Sequence, residues 1–194
     1  MSEKMPFELD HKSFIILGLL SEDPGGSHAY SVNKKIEERG MRGWTEIGKS
    51  SIYRIASYLE ENGLVGSYEE EYDNRVRKIY KITDFGYNIL IDKVYKVLKE
   101  FNGLNDPNFY VAFSMFQLLT PEQITEAIQN SIKKIRVNLK ELKEALEQNS
   151  NLGLNVRGLF IHPIKILETD LEFLKEVLKE INEGDVKYEQ KSHN

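Results

Sequence analysis

The chain has 194 residues and a formal net charge of −5, from 26 Lys and Arg against 31 Asp and Glu. Its 40% hydrophobic and 29% charged residues indicate a globular protein of one or two domains and exclude a disordered tail protein. The lack of cysteine excludes disulfides and thiol chemistry. The negative net charge argues against a general polycation, so any DNA-binding surface must be local.

The sequence shows neither a secretion signal nor a membrane segment. Residues 1–8 have no basic stretch that leads into an apolar run, and nowhere do about 18 apolar residues follow one another. We therefore expect a soluble, cytoplasmic protein with no membrane partner.

Short helical patterns alternate with β patterns in the first part of the chain. Residues 13–20 are apolar throughout and fit either a buried helix or a strand. Apolar residues at helical spacing predict a helix over 27–40, and the alternation at 44–47 predicts a brief strand. A further helix is predicted from about 49 to 62, where Asn-Gly ends it.

The next segment predicts a two-stranded hairpin with a basic return strand. An acidic run, Glu69–Glu71, leads into a turn and a strand over 76–82. Alternation places Tyr80 and Ile82 on the core face and Arg77 on the opposite face. The three carboxylates are predicted to protect an exposed strand edge rather than to act in catalysis.

The second part of the chain is predicted to be helical. A cluster of Gly, Asn, Asp and Pro at 102–107 favours a division into domains over 1–104 and 105–194. One helix is predicted over 108–119, and a capping box at 120–123 starts a long helix that ends near 149.

The last helix is predicted to start near Pro163. It carries an apolar seam like that of the preceding long helix, so we expect the two to pair antiparallel.

No catalytic or metal-binding pattern is present. The four histidines, His11, His28, His162 and His193, have no metal-ligand spacing, and His28 and His162 are placed to cap helices. No phosphate-binding glycine loop or nucleophile elbow occurs. We therefore expect no enzyme, no cofactor and no metal.

The order helix, helix, short strand, helix and basic hairpin is typical of a winged helix-turn-helix. In this fold one helix enters the DNA major groove, and the hairpin places cations on phosphates. The candidate DNA-binding residues are Lys49, Ser50, Ser51, Tyr53 and Arg54 of the helix and Arg75, Arg77, Lys78 and Lys81 of the hairpin. The alternative is a winged-helix module that binds a protein partner, and no DNA, through the Glu69–Glu71 strand and the C-terminal helices.

Four stretches of the first part form a recognisable set: Phe14–Leu20, His28–Ser31, Ser51–Val65 and the hairpin segment Asn74–Gly86. Together they resemble PadR-type transcriptional regulators over about residues 12–100. The hairpin follows the family pattern GRPRKYYxLTxxG, with Asn74 and Val76 in place of Gly and Pro. Arg54 stands where family members often carry proline.

The resemblance implies a mainly α fold, with an N-terminal winged helix-turn-helix that has a small β-hairpin wing and a C-terminal antiparallel helical dimerisation domain. It implies a homodimeric repressor of a near-palindromic operator in double-stranded DNA, with a recognition helix at about Lys49–Asn62 and Tyr53 near the sugar-phosphate backbone. It also implies release by a small aromatic or lipophilic effector. The candidate effector-binding residues are Trp44, Phe109, Tyr110, Phe113 and Phe116, although an aromatic stripe at helical spacing also suits a plain core.

Overall fold

The computed structural model describes residues 7–43, 45–72 and 74–183. Within these ranges lie seven α-helices and one three-stranded antiparallel sheet. The helices are α1 His11–Ser21, α2 Ala29–Glu38, α3 Lys49–Glu61, α4 Asp84–Glu100, α5 Pro107–Phe113, α6 Pro121–Gln148 and α7 Leu154–Glu183. The strands are β1 Ser27–His28, β2 Val65–Tyr72 and β3 Arg75–Ile82. The predicted class, mainly α with a small β-hairpin wing, is confirmed.

The chain divides into two compact units, Met1–Lys93 and Val94–Asn194, and the division falls within α4. The division into domains over 1–104 and 105–194 stays a prediction, because those domains are defined by the functions expected of them. Among the described residues no helix is long and apolar enough to cross a membrane.

The apolar run at 13–20 is a helix, and all of its residues are buried. Asp10 begins α1 because its carboxylate accepts a hydrogen bond from the Ser13 N–H at 2.8 Å. This cap satisfies one of the free N–H groups at the helix start. Helix α1 packs against α2 and α3, so the core of the first unit is built around it.

The sheet has the order β1-β3-β2, and β1 pairs with β3 at Ser27–Tyr80 and His28–Ile79. The predicted strand at 44–47 is wrong over the described residues 45–47. A 3-10 turn at Met41–Gly43 precedes them, and Thr45 N–H donates a hydrogen bond to Met41 O at 2.9 Å. This N–H is therefore bonded within its own turn and not to a neighbouring strand.

The core face of β3 is broader than predicted. Tyr80 is buried as expected, but Ile79 on the opposite face is buried too, and Ile82 is only half-buried. The loop before β1 covers Ile79: a Cβ added to Gly26 would lie 2.8 Å from Ile79 Cγ2. Gly26 has φ of 98°, a conformation that glycine adopts without strain.

In the second unit the helix predicted over 108–119 is two pieces. Helix α5 ends at Phe113, and a separate 3-10 turn covers Phe116–Leu118. At the end of α5 the Ser114 hydroxyl donates a hydrogen bond to Val111 O at 2.8 Å. A side-chain bond of this kind competes with the backbone hydrogen bonds that would continue the helix.

The predicted capping box of α6 is confirmed. Gln123 N–H donates to Thr120 Oγ1, and Thr120 N–H donates to Gln123 Oε1 at 2.9 Å. The predicted start of the last helix is wrong, because α7 begins at Leu154 and Pro163 lies inside it. His162 is therefore an interior helical residue rather than a cap.

Helices α6 and α7 pack against each other. The five residues between them, 149–153, span at most about 18 Å, too short to return along α6, so the pair is antiparallel as predicted. Ile128, Ile135 and Leu167 belong to the buried seams. Lys143 Nζ forms an ion pair with Glu168 Oε1 at 2.6 Å across the two helices.

Candidate nucleic-acid interface

Helix α3 has one buried and one exposed face. Ile52, Ile55 and Leu59 face the core. Four of the five predicted contact residues of α3 are exposed and Ser51 is half-buried; the exposed four are Lys49, Ser50, Tyr53 and Arg54. The exposed face therefore carries short polar, aromatic and basic side chains of the kind that contact DNA.

The start of α3 faces α2 through one ion pair. Lys49 Nζ lies 3.7 Å from Glu37 Oε1, while the Lys49 side chain stays 73% exposed. The pKa of Glu37 is lowered by a hydrogen bond from Asn33 and further by the charges of Lys49 and Arg42. The N-cap is Gly48, which offers no side chain to the first N–H groups of the helix. Lys49 is thus held loosely at an accessible helix start.

The register of the hairpin separates its cations. Glu70 lies opposite Arg77, and Tyr72 lies opposite Arg75. Because side chains alternate along a strand, Arg75, Arg77 and Lys81 share one face of the hairpin and Lys78 lies on the other. We name the face of Arg75, Arg77 and Lys81 the basic face.

Lys78 is bound to α3. Its Nζ lies 2.6 Å from Glu60 Oε2, and Ser67 Oγ donates to the other Glu60 carboxylate oxygen at 2.5 Å. These hydrogen bonds lower the pKa of Glu60, and the bond to Glu60 raises the pKa of Lys78. Lys78 therefore holds the hairpin on α3.

His28 contacts α3 and feels the charge of Arg77 on the basic face. Its Nδ1 accepts a hydrogen bond from Tyr30 N–H at 3.0 Å, which confirms the predicted cap of α2. Its ring meets the Tyr53 ring edge-on, with 6.4 Å between centroids. Burial, and then the charge of Arg77, lower the pKa of His28.

Tyr72 supports the basic face, because the Arg77 guanidinium lies 4.4 Å from the centroid of its ring. Sequence reasoning missed Tyr72 and the position of His28 next to Tyr53. Pairing the two strands of the hairpin in the sequence would have placed Tyr72 near the arginines. No local sequence pattern predicts the pairing of β1 with β3 that positions His28.

The acidic run lies on β2, an edge strand of the sheet, and is exposed. Glu69 is opposite Lys78 and Glu70 is opposite Arg77. Opposite charges at facing positions favour this strand pairing. The prediction of an exposed charged edge is confirmed.

The predicted effector residues lie in an aromatic cluster of the second unit, except Trp44, which lies outside the described residues. Phe109 stacks on Phe101 with 3.9 Å between centroids and contacts Phe113 at 5.7 Å. Phe113 stacks on Phe116 at 5.1 Å. Phe109 and Tyr110 also line a cavity, whereas the rings of Phe113 and Phe116 pack on their neighbours.

An exposed helix face beside a three-stranded sheet with a basic hairpin defines a winged helix-turn-helix. Residues 16–91 match the sequence model of the Transcriptional regulator PadR-like family. These residues, less than half of the chain, are thus a PadR-like domain, and the resemblance is confirmed. The family consists of transcriptional regulators rather than enzymes, which agrees with the lack of a predicted catalytic pattern.

Among solved structures the chain is similar to Bacillus subtilis PadR in complex with operator DNA, with 17% identity over 89% of this chain and 99% of that one and a TM-score of 0.43. The same Bacillus subtilis protein in complex with p-coumaric acid gives 18% identity over 88% and 98%, with a TM-score of 0.38. The PadR-like transcriptional regulator BC1756 from Bacillus cereus gives 20% identity over 89% and 98%, also with a TM-score of 0.38. No curated protein matches the chain.

Proposed function

We propose that this chain is a cytoplasmic, homodimeric, sequence-specific transcriptional repressor that a small molecule releases from DNA. The observation that carries the proposal is the exposed face of α3 beside the basic face of the hairpin, in a PadR-like domain. The net charge of −5 makes this local patch the source of attraction for DNA phosphates.

The residues divide into two roles. Ser50, Ser51 and Arg54 of α3 read base edges in the major groove, where a guanidinium can bind guanine through two hydrogen bonds. Lys49 and Tyr53 contact the sugar-phosphate backbone beside them. Arg75, Arg77 and Lys81 bind flanking phosphates, with Lys78 adding charge while it holds the hairpin on α3.

Apolar side chains that α7 leaves exposed support the homodimer. Leu154 is 69% exposed and Leu159 is 71% exposed. Covering these two leucines with a second copy of the chain would be favourable, because it removes apolar surface from water. A two-fold dimer would present two copies of α3 to half-sites about 34 Å apart, or a multiple of this distance. Light scattering after gel filtration should give twice the chain mass of 22.5 kDa.

The test is binding of the purified full chain to genomic fragments, including the DNA upstream of its own gene, at two salt concentrations with random competitor. We expect tight, competitor-resistant binding that weakens steeply as salt rises. Binding no stronger than to random DNA would contradict the proposal and favour a protein partner, for which the exposed edge strand β2 with its carboxylates is the available surface.

A further inference from the structure

A cavity of about 260 Å³ lies within the second unit, between the segment 101–110 and α7. Its walls are aromatic: Phe101, Phe109, Tyr110 and Phe173 line it. Tyr110 is 55% exposed, so the cavity can be reached from solvent. The volume is just below the range of about 300–1,000 Å³ that is typical of drug-sized ligands, which suits a compound with a single ring.

Asp170 is one of two carboxylates in the lining. Asp170 Oδ2 accepts a hydrogen bond from Leu104 N–H at 3.3 Å, and burial raises the pKa of Asp170. A carboxylate has about four acceptor sites, so this single bond leaves capacity for a bound donor. The turn that supplies the N–H is unusual, because Leu104 has φ of 71° and Asn105 has φ of 60°.

The charged side chains that line the cavity determine which ligand charge it can accept. Among the described residues that line the cavity, the charged side chains are Asp106 and Asp170, and there is no lysine or arginine. Asp106 caps α5, because its Oδ1 accepts a hydrogen bond from Asn108 N–H, and it adds a second negative charge to the lining. An anionic ligand would therefore meet carboxylates without a compensating cation, whereas an ammonium would find Asp170 and ring faces that attract cations.

We propose that this cavity binds a small organic cation, an ammonium on a single-ring aromatic body, with the ammonium on Asp170 and the ring against Phe109 and Phe173. The proposal rests on the proposed function in one respect, that this ligand is the effector that releases DNA. Binding of the cation is a property of the second unit and is measured without DNA.

The probe is 2-phenylethylammonium, and its matched anion is 3-phenylpropanoate. By calorimetry on the full chain we expect saturable binding of the cation and at least tenfold weaker binding of the anion. Asp170→Asn keeps an acceptor for Leu104 N–H but removes the charge, so it should weaken the cation at least tenfold. Glu172→Gln removes a charge from an exposed residue of the same helix outside the lining and should leave the affinity unchanged.

Neutral ethylbenzene, which has the ring but no hydrogen-bond donor, shows whether Asp170→Asn keeps the cavity intact, since its affinity should be equal in both proteins. Equal binding of the cation and the anion, no binding of the cation, or an unchanged cation affinity in Asp170→Asn would each overturn the proposal. If the cation binds as expected but the DNA affinity does not change, the binding site stands and release by this ligand fails. If no DNA binding is detected at all, the proposed function fails and the calorimetry is unaffected.

Discussion

Lys78 and Glu60 form a 2.6 Å ion pair that joins the hairpin to the second half of α3. Arg77, the preceding residue, points to the opposite face and lies over the Tyr72 ring. Two neighbouring cations of one strand therefore have different surroundings, and their substitution should have different consequences.

Arg77→Ala should weaken binding to specific and random DNA alike, because a phosphate contact carries no sequence information. We expect the slope of log affinity against log salt to fall by about 1 for each subunit bound. Lys78→Ala should change this slope less, because Lys78 is already neutralised by Glu60. Fluorescence anisotropy of labelled DNA over a salt series measures both slopes.

Lys140→Ala is the matched control, since it removes one positive charge from an exposed residue of α6, where Lys140 pairs only weakly with Glu144 at 3.8 Å. Its salt slope should equal that of the unmodified protein. An equal fall for Arg77→Ala and Lys140→Ala would mean that net charge, and not the basic face, determines DNA affinity.

Arg54→Ala should change which sequence is preferred. Arg54 is exposed on α3 next to Tyr53, and loss of a bidentate base contact costs about 1–3 kcal/mol of discrimination. The ratio of specific to random affinity, measured by competition, should therefore fall about tenfold or more. Equal loss on specific and random DNA would assign Arg54 to the backbone instead.

Periodicity and turn residues predicted most of the first unit. The two faces of β3 follow from alternation alone, which is why the separation of Arg77 from Lys78 could be foreseen. The third strand could not be, because two residues, Ser27 and His28, have no periodicity of their own and pair with β3 only through the tertiary fold. The predicted strand at 44–47 shows the same ambiguity of short alternating segments.

Pro163 explains the main error in the second unit. Proline is frequent at the first turn of a helix, so it was a natural start signal, yet α7 continues through it. Thr120-Pro121 gave the correct start of α6 because the proline there is accompanied by a cap and by Gln123. Phe109 and Tyr110 were predicted to line an effector pocket. Asp170 and Phe173 on its other side were not foreseen, because they lie in α7, far along the chain from Tyr110.

Gly86 illustrates why a motif glycine is required. It lies in the first turn of α4, and a Cβ there would lie 2.0 Å from the carbonyl oxygen of Leu64. Gly86→Ala should therefore lower the free energy of unfolding by at least the roughly 1–3 kcal/mol that is typical of overpacking. Urea titration measures this free energy directly. Gly66→Ala meets nothing within 4 Å and should change stability by less than about 1 kcal/mol. Equal stability of the two variants would contradict the close approach.

His28 should make the first unit less stable in acid. Its pKa is lowered from 6.5 in the folded chain, so the unfolded chain takes up the proton first. The stability contribution is therefore complete above pH 6.5 and is lost as the pH falls through the lowered pKa of the folded state. Protonation also removes the Nδ1 acceptor that caps Tyr30 N–H.

His28→Asn separates this effect from other titrations, because asparagine is a good N-cap residue and does not titrate. The free energy of unfolding of the unmodified protein minus that of the variant should be smaller at about pH 5 than at about pH 7.5. A difference that does not change with pH would show that His28 titrates alike in both states. Replacing Arg77 by Gln should raise the pKa of His28 in an NMR titration, since the charge of Arg77 contributes to lowering it.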